Sequence, residues 1–156
     1  MAQLNLSAAA RSDEKSDLAP ENFGRTKIYL SHPKRPGQIL GMPYLSIQTN
    51  STLSAEKRNE LLSAASEIVG AQLNKPESSV MAGFQPVPEM MLAKDDAPAA
   101  FLELRSIGVP DAKRHPLCAA LTELISRSCG ISAKRVFIVL VDVQARFWAY
   151  DGAMVG

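Results

Sequence analysis

The sequence has no long hydrophobic run and almost no excess charge. No apolar stretch approaches the roughly 18 residues that a membrane span needs. The amino terminus also lacks the apolar core of a secretory signal. The formal net charge is only +1, so charge gives no reason to expect nucleic acid or an anionic membrane as a partner. These features predict a soluble protein that binds neither nucleic acid nor a membrane.

Cysteine and histidine are scarce, with two of each. Cys118 and Cys129 fall in one predicted helix, where eleven residues separate them by about 16 Å, too far for a disulfide. We therefore expect free thiols, which suit a reducing compartment. Because His32 and His115 form no ligand spacing with these thiols, we expect no metal site.

Residues 1–42 differ from the rest of the chain. They contain a mixed-charge run at 11–17 and a turn-rich stretch at 31–37, and only residues 27–30 have a strand pattern. We predict a disordered extension or a mis-assigned start, with Met42 as the true start or a processing point. A transit peptide is an alternative, although the acidic residues here are unusual in one.

Residues 43–156 have the pattern of one compact domain. The segment 44–49 predicts a strand, and Ser54 is the expected N-cap of a helix of about five turns that ends before Pro76. Residues 79–84 predict a second strand. A strand, a long helix and a strand in this order indicate a crossover between parallel strands.

A second unit of the same kind follows at an offset of 56 residues. It consists of a predicted strand at 100–107, a helix at 113–129 closed by Gly130, and a strand at 135–141. Pro116 is expected in the first turn of this helix, where proline is tolerated. Two such βαβ units predict an α/β domain with a four-stranded mixed sheet and both helices on one face.

The second face of this sheet has no helix to cover it. The last predicted strand is apolar on both sides, with Val136, Ile138 and Leu140 on one side and Phe137 and Val139 on the other. Self-association is the natural way to bury the second side. The linker 89–98 is predicted to be irregular, and the tail 144–156 is predicted to be a short edge strand or a hairpin.

Several polar groups are predicted to meet at one edge of the sheet. The crossover brings Pro43, which opens the first strand, to the same edge as Lys75, which precedes the second. If the second unit runs antiparallel to the first, the segment 106–108 also arrives at this edge. Phe137 would lie at the opposite edge, so it could line the site only from a neighbouring subunit.

These residues resemble the macrophage migration inhibitory factor family of the tautomerase superfamily. The resemblance covers residues 43–156 and rests on Met42–Pro43, Lys75–Pro76, Ser106–Gly108 and the aromatic tail after Asp142. It implies a homotrimer of the tautomerase fold, without a cofactor, that interconverts keto and enol forms of phenylpyruvate-like or dopachrome-like compounds. It also implies a cytoplasmic protein, or one secreted without a signal peptide.

The resemblance further implies roles for single residues. Pro43, freed by removal of Met42, would be the general base, because an N-terminal proline keeps a basic nitrogen. Lys75 would hold the carboxylate or oxygen of the substrate, and the backbone amide of Ile107 would donate to the developing enolate. Arg105 could supply a second cation for an acidic substrate. The alternative is that it is only a surface residue of the strand. The pocket wall would be formed by Phe137, Val139, Trp148, Tyr150 and Val155, and packing between subunits is the alternative role of Trp148 and Tyr150.

The chain departs from the family pattern at positions that affect substrate preference, and an alternative function is also open. The family's pocket tyrosine and asparagine are replaced by Phe137 and Val139, which removes two polar contacts. With residues 1–42 attached, Pro43 is an amide without a basic nitrogen. The alternative is a trimeric, cytokine-like or binding protein that recognises an unidentified receptor and has vestigial or no catalysis.

Overall fold

The computed structural model of this protein describes residues 41–156. The first unit consists of β1 (Tyr44–Thr49), α1 (Ala55–Leu73) and β2 (Met81–Pro86). The second consists of β3 (Ala100–Ser106), α2 (Asp111–Cys129) and β4 (Val136–Asp142). A hairpin of β5 (Ala149–Tyr150) and β6 (Ala153–Met154) ends the chain, as the tail pattern predicts. The predicted strand at 27–30 and residues 1–40 of the predicted disordered extension lie outside the described residues.

The two units repeat with a constant offset. Both helices have 19 residues, and α2 begins 56 residues after α1, as β3 does after β1. Short 3-10 turns at Glu77–Ser79 and Ala133–Arg135 are related by the same offset. The predicted internal repeat is therefore confirmed at the level of secondary structure.

The four main strands form one mixed sheet in the order β2-β1-β3-β4. Strands β1 and β2 are parallel, β3 and β4 are parallel, and the central pair β1 and β3 is antiparallel. In this register Tyr44 lies opposite Arg105, which in turn lies opposite Val141. The start of β1 and the end of β3 therefore meet at one edge of the sheet, as predicted.

The core lies between one face of the sheet and the two helices. Apolar residues at helical spacing in α1 and α2 pack against alternate residues of the strands. Burying each large side chain stabilises the fold by about 1.5 to 3 kcal/mol. The largest fully buried members are Leu45, Ile47, Leu61, Leu102, Leu104, Leu117, Leu121 and Ile125.

The opposite face of the sheet is open at β4. Val136, Ile138 and Leu140 pack against the core, whereas Phe137 and Val139 are 50% and 42% exposed. The side chains of β4 therefore alternate between the two faces of the sheet, as predicted. Both helices lie on the same face of the sheet, which is also as predicted.

The sequence prediction was wrong about the start and end of β2. Residues Glu77–Ser79 form a 3-10 turn, in which the amide of Val80 donates to the carbonyl of Glu77 at 2.8 Å. The strand therefore begins at Met81 instead of Ser79. It also continues to Pro86, which an edge strand tolerates at its end because no hydrogen bond from that nitrogen is needed.

The prediction was also wrong about the start of α2. The helix begins at Asp111, so Pro116 lies in its second turn and not in its first. Proline has no amide to donate to the carbonyl of Ala112. Because Ala112 and Pro116 are exposed, water can hydrate that carbonyl, and the helix continues to Cys129.

The two cysteines of α2 are free thiols, as predicted. Partial burial raises the pKa of both Cys118 and Cys129. Residues 41–156 contain no cluster of three or more His, Cys, Asp or Glu side chains suited to a metal ion. Within the same residues, no helix has the length and apolar character of a membrane span.

Candidate active site

The residue before β1 is fixed by the neighbouring strand. Pro43 is fully buried, and its carbonyl accepts a hydrogen bond from the amide of Met81 at 2.8 Å. This bond belongs to the first pair of the parallel ladder, which joins Tyr44 and Met81. The ring and nitrogen of Pro43 are therefore held at the edge of the sheet where β1 starts.

The end of α1 brings Lys75 to the same edge. Asn74 is the C-cap of α1 and adopts a left-handed conformation with φ 53° and ψ 45°. The amide of Lys75 then turns back and donates to the carbonyl of Gly70 at 2.9 Å. Gly70 is buried, and a Cβ there would lie 3.1 Å from the Lys75 carbonyl, so the close turn favours a residue without a side chain.

Lys75 reaches the end of β3. Its Nζ donates to the carbonyl oxygen of Ile107 at 3.2 Å. Desolvation by burial lowers the pKa of Lys75 below its ordinary value. The ammonium is thus held in a partly water-excluded position, where it attracts an anion more strongly than a fully hydrated lysine does.

The loop after β3 is held by a residue that the sequence analysis did not identify. The carboxylate of Asp142, at the end of β4, accepts a hydrogen bond from the amide of Gly108 at 2.9 Å. The carbonyl of Ser106 accepts another from the amide of Val143 at 2.8 Å. Together these bonds position Ile107 beside Lys75. In the sequence, this role of Asp142 is signalled only by an acidic residue at the end of one predicted strand and a glycine just after the neighbouring one.

The backbone that precedes Pro43 also lies at this site. Gly41 is buried and has a φ of +80°. A Cβ added to it would lie 2.6 Å from Lys75 Nζ and 2.6 Å from the Ile107 carbonyl oxygen. The sequence analysis did not identify Gly41, because its role depends on this close approach and not on a local pattern.

Arg105 lies near the same edge but is paired within its own strand. Its guanidinium forms an ion pair with Glu103, and its side chain is 53% exposed. Both residues project from the sheet face that the helices leave uncovered. The structure therefore shows a surface arginine whose charge is neutralised by Glu103.

The remaining predicted wall residues lie elsewhere in the chain. Phe137 pairs with Phe101 near the start of β4, four residues and about 13 Å along the strand from Val141 at the Pro43 edge. Val139 lies between them. This is the opposite-edge position that the topology predicts for Phe137. One chain alone therefore does not bring Phe137 to Lys75.

The other three wall residues belong to the tail. The amide of Val155 donates to the carbonyl of Trp148 at 2.9 Å, so these two residues face each other across the hairpin. Asp151 and Gly152 form its turn with φ values of 49° and 72°, which suit a tight hairpin. Tyr150 is 48% exposed. The tail thus presents exposed aromatic side chains, one of which, Phe147, lies 4.7 Å from the guanidinium carbon of Arg146.

A shallow cavity of about 190 Å³ lies at the other end of β1. The guanidinium carbon of Arg58 lies 5.9 Å from the centroid of the Phe84 ring at this cavity. Because Thr49 and not Pro43 borders it, none of the predicted site residues contributes to its wall. The cavity is a separate feature from the group formed by Pro43, Lys75 and Ile107.

Comparisons with known proteins agree on one family. The sequence profile of the macrophage migration inhibitory factor (MIF) family matches residues 42–156. A MIF homolog from Brugia malayi is 30% identical over 116 residues, which cover 74% of this chain and 100% of the relative. The crystal structure of a MIF homologue from Prochlorococcus marinus, 29% identical, covers 72% of this chain and 99% of that one with a TM-score of 0.69. The MIF structure from Trichinella spiralis, 26% identical, gives a TM-score of 0.65 over 71% of this chain and 98% of that one. This chain therefore belongs to the macrophage migration inhibitory factor family and has its fold.

Proposed function

We propose that the chain beginning at Pro43 is a keto–enol tautomerase that acts on phenylpyruvate-like or dopachrome-like compounds. The observation that carries the proposal is the position of Lys75, whose Nζ lies 3.2 Å from the Ile107 carbonyl at the edge where β1 starts. A partly desolvated cation at the edge of the sheet where β1 starts can orient an acidic substrate against Pro43. Membership of the MIF family supports the same reaction class.

The proposed reaction moves one proton and needs no cofactor. With residues 1–42 removed, Pro43 carries a secondary amine that can accept the proton from the carbon next to the substrate's carbonyl. The electron pair left on that carbon becomes an enolate, and the proton then adds to its oxygen to give the enol. Lys75 holds the carboxylate or oxygen, and the amide of Ile107 donates to the developing negative charge. A hydrophobic site and the nearby charge of Lys75 would both disfavour the protonated form of this amine.

We further infer that the working form is a homotrimer with the site between subunits. Phe137 and Val139 are exposed at the opposite end of β4, where a neighbouring subunit could receive them. The same neighbour could meet the aromatic tail, which includes Trp148, Tyr150 and Val155. Arg105 would serve as a second cation only if a substrate displaced Glu103 from its ion pair.

The test uses a chain that begins at Pro43. We expect it to ketonise enol-phenylpyruvate, and we expect Pro43→Gly to lower kcat/KM by at least about 100-fold, because general base catalysis contributes that much. Loss of the enol absorbance in the ultraviolet measures the rate. The matched control is Pro88→Gly, the same exchange at an exposed position after β2, which should keep the activity. An unimpaired Pro43→Gly variant would refute the role of the proline.

A trimeric binding or cytokine-like protein is the second candidate. Phe137 and Val139 favour it, because they offer no polar atoms where the family pattern has a tyrosine and an asparagine. Under this function the chain beginning at Pro43 has no tautomerase activity, and binding to a partner protein survives Pro43→Gly. The same pair of variants therefore separates the two candidates.

A further inference from the structure

The segment before Pro43 occupies the space in front of Lys75. Gly41 is buried, and an added Cβ would lie 2.6 Å from both Lys75 Nζ and the Ile107 carbonyl oxygen. Since a carbon–carbon bond is about 1.5 Å long, the Cα of Gly41 itself lies within about 4 Å of both atoms. Met42 is half-buried and continues directly into the buried Pro43.

This position overlaps with the place of an anionic ligand. A carboxylate bound to an ammonium group places its oxygen about 2.7 to 2.9 Å from the nitrogen. On the side of Lys75 that faces the Ile107 carbonyl, the backbone of Gly41 already lies within contact distance. A substrate carboxylate could reach this side of the ammonium group only if Gly41 moved away.

The fit depends on glycine. Its φ of +80° is a conformation that residues with a side chain rarely adopt, and the added Cβ would collide with a backbone oxygen as well as with the flexible lysine. The lysine can move at little cost, but the carbonyl of Ile107 is held within the loop that Asp142 fixes. A larger residue at this position would therefore have to move the segment out of the site.

We propose that Gly41 and Met42 act as an autoinhibitory segment that covers the anion site formed by Lys75 and Ile107. The inference rests on the proposed function, because it concerns the regulation of the same site. The attached chain then blocks the site in two independent ways: it makes Pro43 an amide, and it occupies the place of the substrate's carboxylate. Removal of residues up to Met42 ends both forms of inhibition in one step.

The test measures the binding of cinnamate, an aromatic carboxylate that cannot tautomerise, to the full-length chain and to its Gly41→Ala variant. We expect the variant to bind at least about tenfold more tightly, because the affinity of the full-length chain is reduced by the small fraction with an open site. Titration calorimetry gives the dissociation constants. Neither protein has a basic Pro43 nitrogen, so binding is measured apart from catalysis.

The matched control is Gly130→Ala. Gly130 has a comparable φ of +67°, but a Cβ there would meet nothing within 4 Å, so the variant has similar backbone strain and displaces nothing. It should bind cinnamate as weakly as the full-length chain does. Equal affinities of the full-length chain and a folded Gly41→Ala variant would overturn the inference.

A second variant covers the case in which Gly41→Ala does not fold. It consists of residues 43–156 with Pro43→Gly, which contain the whole four-stranded sheet, both helices and all but one residue of the match to the family profile. We expect it to bind cinnamate at least about tenfold more tightly than the full-length chain. Equal or absent binding contradicts the inference. If the site opens as expected but the chain beginning at Pro43 does not catalyse, only the proposed function fails.

Discussion

Lys75 carries its charge in a partly desolvated position at the end of α1. Burial disfavours the charged form and lowers the pKa of Lys75, although the nearby carbonyl ends of the helix favour a cation. Between this lowered pKa and the ordinary value of about 10.4, the unfolded chain binds more protons than the folded chain. The contribution of Lys75 to the free energy of unfolding therefore rises with pH between these two pKa values, and it is lower at any pH below them.

At this residue we predict the effect of Lys75→Met in the chain that begins at Pro43. A hydrogen bond to a charged group contributes about 1.5 to 3 kcal/mol, so kcat/KM for an acidic substrate should fall about 10- to 100-fold. In the unchanged chain, substrate affinity should decrease as the pH rises through the lowered pKa of Lys75. Steady-state kinetics between neutral and alkaline pH measures both effects.

The control for Lys75→Met is Lys57→Met. Lys57 lies exposed in the first turn of α1, far from the C-cap that positions Lys75. The same loss of charge there should leave kcat/KM and its alkaline pH dependence unchanged. An equal loss in both variants would show that net charge, and not the position of Lys75, determines the affinity.

The sequence predicts the place of some residues in the site but not of others. Pro43, Lys75 and Ile107 could be placed together because each lies at the end of an element, and topology determines where ends meet. Gly41 and Asp142 could not, because one acts by its lack of a side chain and the other by a hydrogen bond across the sheet. Neither property produces periodicity or a motif in the sequence.

At the scale of elements, the linker between the two units is held by side chains from both. Asn50, directly after β1, donates to the carbonyl of Met90 at 3.1 Å and accepts from the amide of Ala99 at 2.8 Å. Arg135, directly before β4, donates to the carbonyls of Pro98 and Ala97 at 3.0 and 2.7 Å. An irregular linker has few hydrogen bonds of its own, so these two residues satisfy its carbonyls.

We predict that Arg135→Ala lowers the free energy of unfolding by about 1 to 3 kcal/mol. The variant loses four hydrogen bonds to the linker, one of them to the carboxylate of Asp95 and one to the partly buried carbonyl of Ala97, which keeps only the longer bond from Asn50 at 3.4 Å. Denaturant unfolding measures the difference. Arg127→Ala is the control, because that arginine is 70% exposed and lies 3.8 Å from Glu123, so its loss should cost less than about 0.5 kcal/mol.

Most elements could be predicted from periodicity, whereas some of their ends could not. The N-cap Ser54 and the C-cap Gly130 lie where the sequence pattern places them, since capping residues are local signals. The start of β2 was missed because the 3-10 turn at Glu77–Ser79 has no hydrophobic period. The start of α2 was missed because Pro116 suggests a first turn, although hydration at an exposed helix end tolerates it one turn later.

At the scale of the whole molecule, the sheet has one covered and one open face. The helices bury alternate residues of β1 and β3 and partly cover those of β2 and β4, but Phe137 and Val139 of β4 remain half-exposed on the other side. Exposed large apolar residues on one strand indicate a contact surface. The charged pair of Glu103 and Arg105 on the adjacent strand β3 limits this apolar surface to the region of β4.

We expect the protein in solution to have three times the 16.8 kDa mass of one chain, and the double variant Phe137→Lys, Val139→Lys to have the mass of a single chain. Burying each of these side chains stabilises an interface by about 1.5 to 3 kcal/mol, whereas a buried unpaired lysine opposes it. Light scattering after size-exclusion chromatography measures the masses. The control is Met91→Lys, at an exposed methionine of the linker, which should keep the larger mass.

The double variant Phe137→Lys, Val139→Lys also tests whether the active site needs a neighbouring subunit. If a neighbouring subunit supplies Phe137 and Val139 to the site, the single-chain form that begins at Pro43 should still unfold cooperatively on heating, with a midpoint lowered by the loss of the interface, and should lose tautomerase activity. A monomeric variant with full activity would show that Pro43, Lys75 and Ile107 suffice within one chain. A double variant that stays trimeric would instead place the interface elsewhere, because two lysines could not be buried at the centre of a stable contact without partners.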